Sequence, residues 1–556
     1  MEGFFTIDRL IDGPWQAFER AIARHLLHAG WDLAEIVGGT GDMGADVIAS
    51  RNGKDVIIQS KFSSINKPLS INVVDELKEA MLFYDIDQGI VMSNRNLSIR
   101  QKARMNELNR PEQGFKIGSM TGQSIITSFN KLPDWVDDKR EPRPYQKQAL
   151  ERLSKSVEGG NEKGLITLAT GLGKTFVAGN FIKWYLQKYS TDKRILILAN
   201  TQALIEQFDR EIWSFLPKSV MTHLLYQYEK PINHKGVILS TFQSLPDYLK
   251  NHPNLSFDLV IIDEAHHAPA DTYSDIIHKL KPNYLLGLTA TPFRKDKKNV
   301  TKIFGEPLIK YDVVRAINNG LLSKVKYIIK NDNVDIDWIT MNSNHGYTIK
   351  DLNKKVFLKQ LNEEIVESFL EEWNKKNPER GIIFCNSSEH CERIETMLTN
   401  TGYSCASLTT RIKDKKERMR RLRFFRQGKI KILTCYDMLN EGIDVPDVDF
   451  IVFLRVTHSR VNYLQQLGRG LRQKQGKELL VLDYVGDIRR IKHVRRFKKD
   501  YDEYKPKDIE ELSLPDNFDL HISNEPTLEF LDLVKKDDSE YIDELEENDS
   551  VFIDQR

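Results

Sequence analysis

Cysteine is scarce in this sequence. The 556 residues contain four, at Cys385, Cys391, Cys405 and Cys435, with no C-x-x-C pair. Such spacing excludes a zinc ribbon and a disulfide scaffold, and it fits a reducing cytosol. No apolar run is long enough to span a bilayer, so no membrane partner is expected. The first residues, MEGFFTIDRLIDGPW, lack a basic leader and a long apolar stretch, so no signal peptide is expected either. Charge of one sign is not in excess: 81 Lys and Arg against 80 Asp and Glu give +1. Any polyanion-binding surface must therefore be local. No repeat of short fixed period occurs, and no low-complexity tract appears before the end.

What is present fits a soluble globular chain, 40% hydrophobic and 29% charged, long enough for roughly three to four domains. Residues 1–132 read as one small α/β unit. Pro14 opens an amphipathic helix, WQAFERAIARHLLHAGW, and Gly30 is placed to end it. Residues 133–142 read as a linker. From 143 to 325 apolar strands (GLITLAT, RILILAN, KGVILST, FDLVIID, YLLGLTA) alternate with helical stretches, the mark of a parallel sheet covered on both faces. The series pauses in a polar region around 328–360. It resumes within a second such domain, 326–500, through RGIIFCN, KIKILTC, DFIVFLR and ELLVLDY. Residues 501–556 turn acidic and read as a solvated, partly disordered extension that could dock a partner or mimic nucleic acid.

LATGLGKT follows one of these strands and precedes a helix. Gly171 and Gly173 let the backbone curl so that its N–H groups face phosphate. Lys174 reaches the β/γ-phosphates, and the Thr175 hydroxyl suits Mg²⁺. Leu168 stands where the full phosphate-loop pattern has its first glycine. LVIIDEAHH then ends a strand in Asp263, suited to the Mg²⁺ shell, and Glu264, suited to orient the attacking water.

Residues from about 141 to 487 resemble a superfamily 2 helicase or translocase core. RPYQ looks like the adenine-reading segment, with Gln146 as reader. ATGLGKT (Thr170, Gly171, Gly173, Lys174, Thr175) is similar to the family's phosphate loop, DEAH to its motif II and TATP to its motif III. LTCYDMLNEGIDVP looks like motif V, with Gly442 and Asp444. QQLGRGLR looks like motif VI, with Gln465, Arg469 and Arg472. The resemblance implies two RecA-like domains with ATP between them and Arg469 and Arg472 as arginine fingers. DEAHH with TATPFR is closer to restriction-enzyme motor subunits and repair translocases than to RNA helicases, which implies duplex DNA as substrate. Two basic runs, Arg411–Arg426 and Ile488–Lys499, read equally as solvated helix faces or as phosphate contacts.

Upstream, GDMGADVIASRNGKDVIIQSK contains the hairpin turn Asn52-Gly53. A two-residue loop puts Asp46 opposite Gln59, so Asp46, Gln59 and Lys61 share one face at one end of the ribbon. A carboxylate there suits Mg²⁺ or Mn²⁺, and a lysine suits an attacking water and a phosphorane-like transition state. Glu19 in the first helix is the candidate second ligand. These residues resemble the PD-(D/E)xK nucleases, specifically the Mrr-like restriction endonucleases, over roughly residues 10–130. Gln in place of the acidic residue is that family's usual variant.

The expectation is thus an α/β protein: an endonuclease-like domain, two RecA-like parallel-sheet domains and a helical, acidic tail. It would use ATP and Mg²⁺ to move on DNA and cut it in the cytoplasm, restricting foreign DNA. Two other readings stand beside this one: a repair or replication helicase whose first domain only binds DNA, and the motor of a multi-protein defence complex. A homodimer would pair two nuclease sites across the strands. No methyltransferase motif such as N-P-P-Y is present.

Overall fold

The computed structural model describes residues 3–5, 14–37, 45–63, 69–70, 72–226, 234–268, 271–290, 300–311, 315–316, 319–330, 362–436, 447–455, 466–468, 470–472, 477–484 and 518–522. Helix α1 (Trp15–His28) leads into a five-stranded sheet of β1 (Leu33–Ile36), β2 (Val47–Arg51), β3 (Lys54–Lys61), β4 (Gln88–Ser93) and β5 (Lys116–Thr121). The strands lie in chain order, with β1 to β3 antiparallel and β3 to β5 parallel. Helices α2 (Val73–Tyr84), α3 (Ile99–Leu108) and α4 (Gln123–Lys131) make the parallel crossovers and the exit.

Asn52 and Gly53 both take positive φ, 51° and 73°, as a tight hairpin turn requires. The turn pins the register at Arg51 opposite Lys54 and Val47 opposite Ile58. The pleat then sorts the side chains. Val47, Ala49, Val56 and Ile58 pack with Phe18 and Ile22 of α1. Ile48 and Ile57 pack with Val74, Leu77 and Met81 of α2 on the other face.

The first of two further lobes starts with α5 (Pro144–Glu158), β6 (Lys163–Leu168), α6 (Lys174–Lys188), β7 (Arg194–Ala199), α7 (Gln202–Ile212) and β8 (Thr222–Leu224). It continues with β9 (Gly236–Thr241), α8 (Leu245–Asn251), β10 (Leu259–Ile262), α9 (Asp271–Leu280), β11 (Tyr284–Thr289), α10 (Thr301–Phe304) and β12 (Pro307–Tyr311). Its sheet is all parallel, in the order β12-β6-β11-β10-β7-β9-β8. β7, β9 and β10 are buried almost throughout, as strands covered on both faces must be.

The second lobe holds β13 (Lys324–Ile329), α11 (Asn362–Lys376), β14 (Gly381–Phe384), α12 (Ser388–Asn400), β15 (Cys405–Leu408) and α13 (Lys415–Arg426). Strands β16 (Ile432–Cys435), β17 (Phe450–Phe453), β18 (Glu478–Asp483) and β19 (Phe518–Ile522) complete it. Its parallel sheet runs β15-β16-β14-β17-β18-β13-β19. Two strands depart from the sequence reading. β13 lies at the start of the stretch read as a polar pause. β19, inside the stretch read as a solvated extension, pairs with β13 through Val325 opposite Phe518. Both are short and flanked by charge, so composition averaged over a window hides them.

The N-terminal unit is docked on both lobes. Arg20 of α1 donates to Asp209 Oδ2 at 2.8 Å and to Thr222 Oγ1 at 2.9 Å. Arg24, 1% exposed, donates to the carbonyls of Val220 at 2.7 Å and Pro217 at 2.8 Å. Lys218 answers with its ammonium on the Leu132 carbonyl at 2.6 Å. Trp213 of the first lobe sits in the core beneath α1. On the other side, α13 of the second lobe pairs Arg423 with Asp55 and Arg426 with Glu35, while Lys429 reaches Asp85 at 2.8 Å. Thus the basic run Arg411–Arg426, read from sequence as solvated or phosphate-binding, turns three of its arginines, Arg420, Arg423 and Arg426, to the N-terminal unit. The run Ile488–Lys499 lies outside the described residues.

Candidate functional site

The loop between β6 and α6 turns on two glycines in the left-handed region, Gly171 at φ 91° and Gly173 at φ 77°. Only glycine holds that conformation without strain. Lys174 and Thr175 then open α6, whose N-terminal N–H groups suit phosphate. Gln146 is fixed to this loop. Its amide donates to the Leu172 carbonyl at 2.9 Å, and its oxygen accepts from the Arg143 N–H at 2.9 Å. A methyl group at Gly173 would come within 2.8 Å of that amide.

Asp263 and Glu264 stand just beyond β10. The Lys174 ammonium lies 2.7 Å from Glu264 Oε1. His266 Nδ1 lies 3.3 Å from the other Glu264 oxygen and 3.2 Å from Thr289 Oγ1, which links DEAH to TATP. Glu264 sits in the left-handed region, φ 48°, a strained position for a residue with a side chain. Burial would raise its carboxyl, but the charge of Lys174 and the bond to His266 hold it well below the usual range. Burial first, and Glu264 next, push Asp263 up to about 7. Asp263 Oδ1 is buried without a hydrogen-bond partner. A buried orphan oxygen within reach of the Lys174 charge fits a hard divalent cation.

The second lobe closes on this loop. A methyl group at Gly171 would touch the Arg472 side chain at 3.5 Å, and one at Gly468 would meet Thr170 at 2.7 Å. Leu322 bridges Arg472, whose guanidinium lies 3.5 Å from Asp447. Of the motif V and VI positions, Gly442, Asp444, Gln465 and Arg469 lie outside the described residues, as do Thr291 and Pro292 of TATP.

In the N-terminal unit, Asp46 is 2% exposed and its Oδ2 accepts the Ser60 N–H at 2.6 Å and the Gln59 amide at 3.3 Å. Gln59 is fully buried and its Oε1 has no hydrogen-bond partner. A carboxylate and an orphaned amide oxygen on one face fit the donor set of Mg²⁺ or Mn²⁺. Lys61 ends β3 on that face, its ammonium 2.8 Å from Glu76. Glu76, in the first turn of α2, was not singled out from sequence; only the acidic start of that helix hinted at it. Glu19 is carried by α1, in the layer over the opposite face. It lines a cavity of about 1980 Å³ that also reaches Arg140, Gly173 and Arg472.

Comparison with known proteins follows the same division. The family described as "Type III restriction enzyme, res subunit" matches residues 139–294, and "Helicase conserved C-terminal domain" matches 359–474. Residues 12–111 match "Restriction endonuclease", the Mrr catalytic domain. The chain carries an Mrr-type restriction endonuclease domain ahead of a superfamily 2 helicase core. Such domains imply use of a nucleotide, a divalent cation and DNA.

Among curated relatives, the type I restriction enzyme EcoAI endonuclease subunit of Escherichia coli is 26% identical over 382 residues, 62% of this chain and 46% of its own. The DNA 3'-5' translocase XPB2 of Sulfurisphaera tokodaii is 27% identical over 394 residues, 63% of this chain and 82% of its own. Two fungal relatives named as ATP-dependent helicases are matched over 51% and 58% of their length, so the chain spans about half of them. Among solved structures, the ATP-dependent type ISP restriction-modification enzyme LlaBIII bound to DNA aligns over 93% of this chain and 41% of its own. The TM-score is 0.53 at 15% identity, a likeness of fold. Among the described residues no helix is long and apolar enough to cross a membrane.

Proposed function

We propose that this chain is an ATP-driven DNA translocase or helicase joined to a metal-dependent endonuclease that cuts foreign duplex DNA, such as phage or plasmid DNA, in the cytoplasm. The observation that carries the reading is the buried Asp46–Gln59 pair, with its orphaned amide oxygen and Lys61 on the same face, in one chain with the Lys174–Glu264 pair.

In the motor, Lys174 and the start of α6 bind the phosphates, while Thr175 and Asp263 hold Mg²⁺. A γ-phosphate that takes Lys174 from Glu264 frees that carboxylate to orient water. Arg472, and Arg469 with it, bring positive charge from the second lobe to the transferring phosphoryl group. Gln146, Thr170, Gly442, Asp444 and Gln465 complete the nucleotide-binding set. In the nuclease, Asp46 and Gln59 would hold Mg²⁺ or Mn²⁺, while Glu19, the further carboxylate expected from sequence, sits over the opposite face and is not brought to them. That cation supplies Lewis acidity and a water of lowered pKa. Lys61 orients the attacking water and offsets charge on the scissile phosphate. Cutting both strands calls for two such sites, hence a homodimer on DNA.

Cleavage of supercoiled and linear duplex DNA, with Mg²⁺ or Mn²⁺ and with or without ATP, tests the reading. Asp46→Ala should abolish cutting and spare ATP hydrolysis, and Lys174→Ala should abolish hydrolysis. A wild type that never cuts while DNA stimulates its ATPase would overturn the nuclease half. The Escherichia coli relatives are named as subunits, which favours a second reading, the motor of a multi-protein defence complex. Cutting that appears only with added partner proteins would select it.

A further inference from the structure

Lys61 does not stand alone at the end of β3. Its backbone carbonyl accepts the Ser93 hydroxyl at 2.7 Å, which fixes the strand end, and its ammonium lies 2.8 Å from Glu76 Oε2. Glu76 is set by the first turn of α2, which packs on the face that carries Asp46 and Gln59. We propose that Glu76 is a positioning residue: it aims the Lys61 ammonium at the place where the scissile phosphate and its water meet. The proposal rests on the nuclease reading above.

Magnitudes separate this role from a merely stabilising one. The two side chains are 26% and 31% exposed, and an ion pair so wet adds little to stability. A lysine side chain, by contrast, has four rotatable bonds along which its ammonium can wander unless a partner holds it. Misplacing a catalytic group by an ångström costs up to about a hundredfold in rate. The pair is thus of little weight in the fold and of large weight in aim. The ATP site holds its phosphate-binding lysine in the same manner, Lys174 against Glu264 at 2.7 Å.

The test is steady-state cleavage of plasmid DNA by the full chain with Mg²⁺ and ATP. Glu76→Gln should lower kcat at least tenfold with KM for DNA within twofold of wild type, and Glu76→Asp should recover most of the rate. Melting temperature and DNA-stimulated ATPase should not move. A Glu76→Gln chain that cuts at the wild-type rate overturns the proposal, as does a loss that tracks a lowered melting temperature or a raised KM. If wild type and Asp46→Ala cut alike, the nuclease reading itself falls and takes this proposal with it.

A different set of contacts carries a second inference. The N-terminal domain is bound to lobe one by buried groups, Arg20, Arg24 and Trp213, and to lobe two by charge. On the second side Asp55 meets Arg423 and Gln427, Glu35 meets Arg426, Asp85 meets Lys429, and Arg420 lies over Phe83. We infer that this domain is a strap across the motor, resisting lobe movement until its charged side lets go. A body tied to two lobes must release one of them for those lobes to rotate. The lobe-two side is held by ion pairs of unequal burial: Arg423–Asp55 and Arg426–Glu35 are 6–20% exposed, whereas Lys429 and Asp85, 46% and 79% exposed, are screened by salt and let go first.

ATP hydrolysis by the full chain without DNA reads this out. Asp55→Lys with Asp85→Lys should raise the basal rate at least threefold at low salt, and wild type should approach that rate as NaCl is added. A basal rate that stays at the wild-type value, or falls, overturns the inference.

Discussion

The Lys174 ammonium lies 2.7 Å from Glu264 Oε1, closing a contact across 90 residues of sequence. Both side chains are 12% exposed, so the pair is largely shielded from water. The charge of Lys174 is what keeps Glu264 ionised despite burial. Glu264→Gln keeps the size and removes the charge. It should leave ATP binding within a few-fold and lower hydrolysis by about 10²-fold or more, which is roughly 3 kcal/mol or more of barrier. Lys174→Ala should instead lose nucleotide binding. Fluorescent-nucleotide titration beside phosphate release distinguishes the two.

At the N-terminal site, Gln59 offers a buried oxygen with no partner, and its amide nitrogen lies 3.3 Å from Asp46. Gln59→Glu sets a second carboxylate beside a buried first one. Without a cation the like charges should cost about 1–3 kcal/mol of domain stability; with Mg²⁺ or Mn²⁺ the cost should vanish. The gain in melting temperature on adding Mg²⁺ should therefore be larger for the Gln59→Glu variant than for wild type. An equal gain would argue against a cation at this place.

Much of this was legible in the chain itself. Asn52-Gly53 dictated the register from Arg51 opposite Lys54 to Val47 opposite Ile58, because a two-residue turn leaves the ladder no freedom to slip, and Asp46 just beyond it reaches the Gln59 amide and the Ser60 N–H with its carboxylate. The parallel strands were legible because burial on both faces makes them continuous apolar runs. What stayed hidden was long-range. Nothing near Arg423 or Arg426 signals that their partners are Asp55 and Glu35, since a helix rich in arginine has the same local pattern whether it faces water, phosphate or another domain. Glu76 was hidden for a related reason: an acid in a helix's first turn is explained by the helix dipole alone.

Arg24 supports the interface with the first lobe. It is 1% exposed, donates to the carbonyls of Val220 and Pro217, and lies 4.3 Å from the centre of the Phe4 ring. Arg24→Met keeps the bulk and strands those carbonyls. A loss of about 2–4 kcal/mol is expected at this interface, with the lobes' own cores intact. Limited proteolysis should then cut the linker near residues 133–142 faster, with ATP hydrolysis retained. Unchanged cleavage of the linker would mean the interface does not depend on Arg24.

The same helix should make the N-terminal domain sensitive to acid. Burial lowers His25 to about 4 and, with Arg24 adding to it, His28 to about 3. His25 Nε2 is 3.1 Å from Ser128 Oγ, and His28 Nδ1 is 3.2 Å from the Pro133 carbonyl, so both rings are held neutral between α1 and the chain leaving α4. In the unfolded chain each takes a proton near 6.5. The unfolded state then binds more protons below that pH, so stability is full above about 6.5 and falls as pH drops toward 4. By pH 5 the loss should be about 2 kcal/mol per histidine. Hydrogen exchange of α1 in the full chain should accelerate between pH 7 and 5, after correction for the intrinsic pH effect, and His28→Gln should remove part of that acceleration. A corrected profile that is flat over this range would show that the two rings accept protons as easily folded as unfolded.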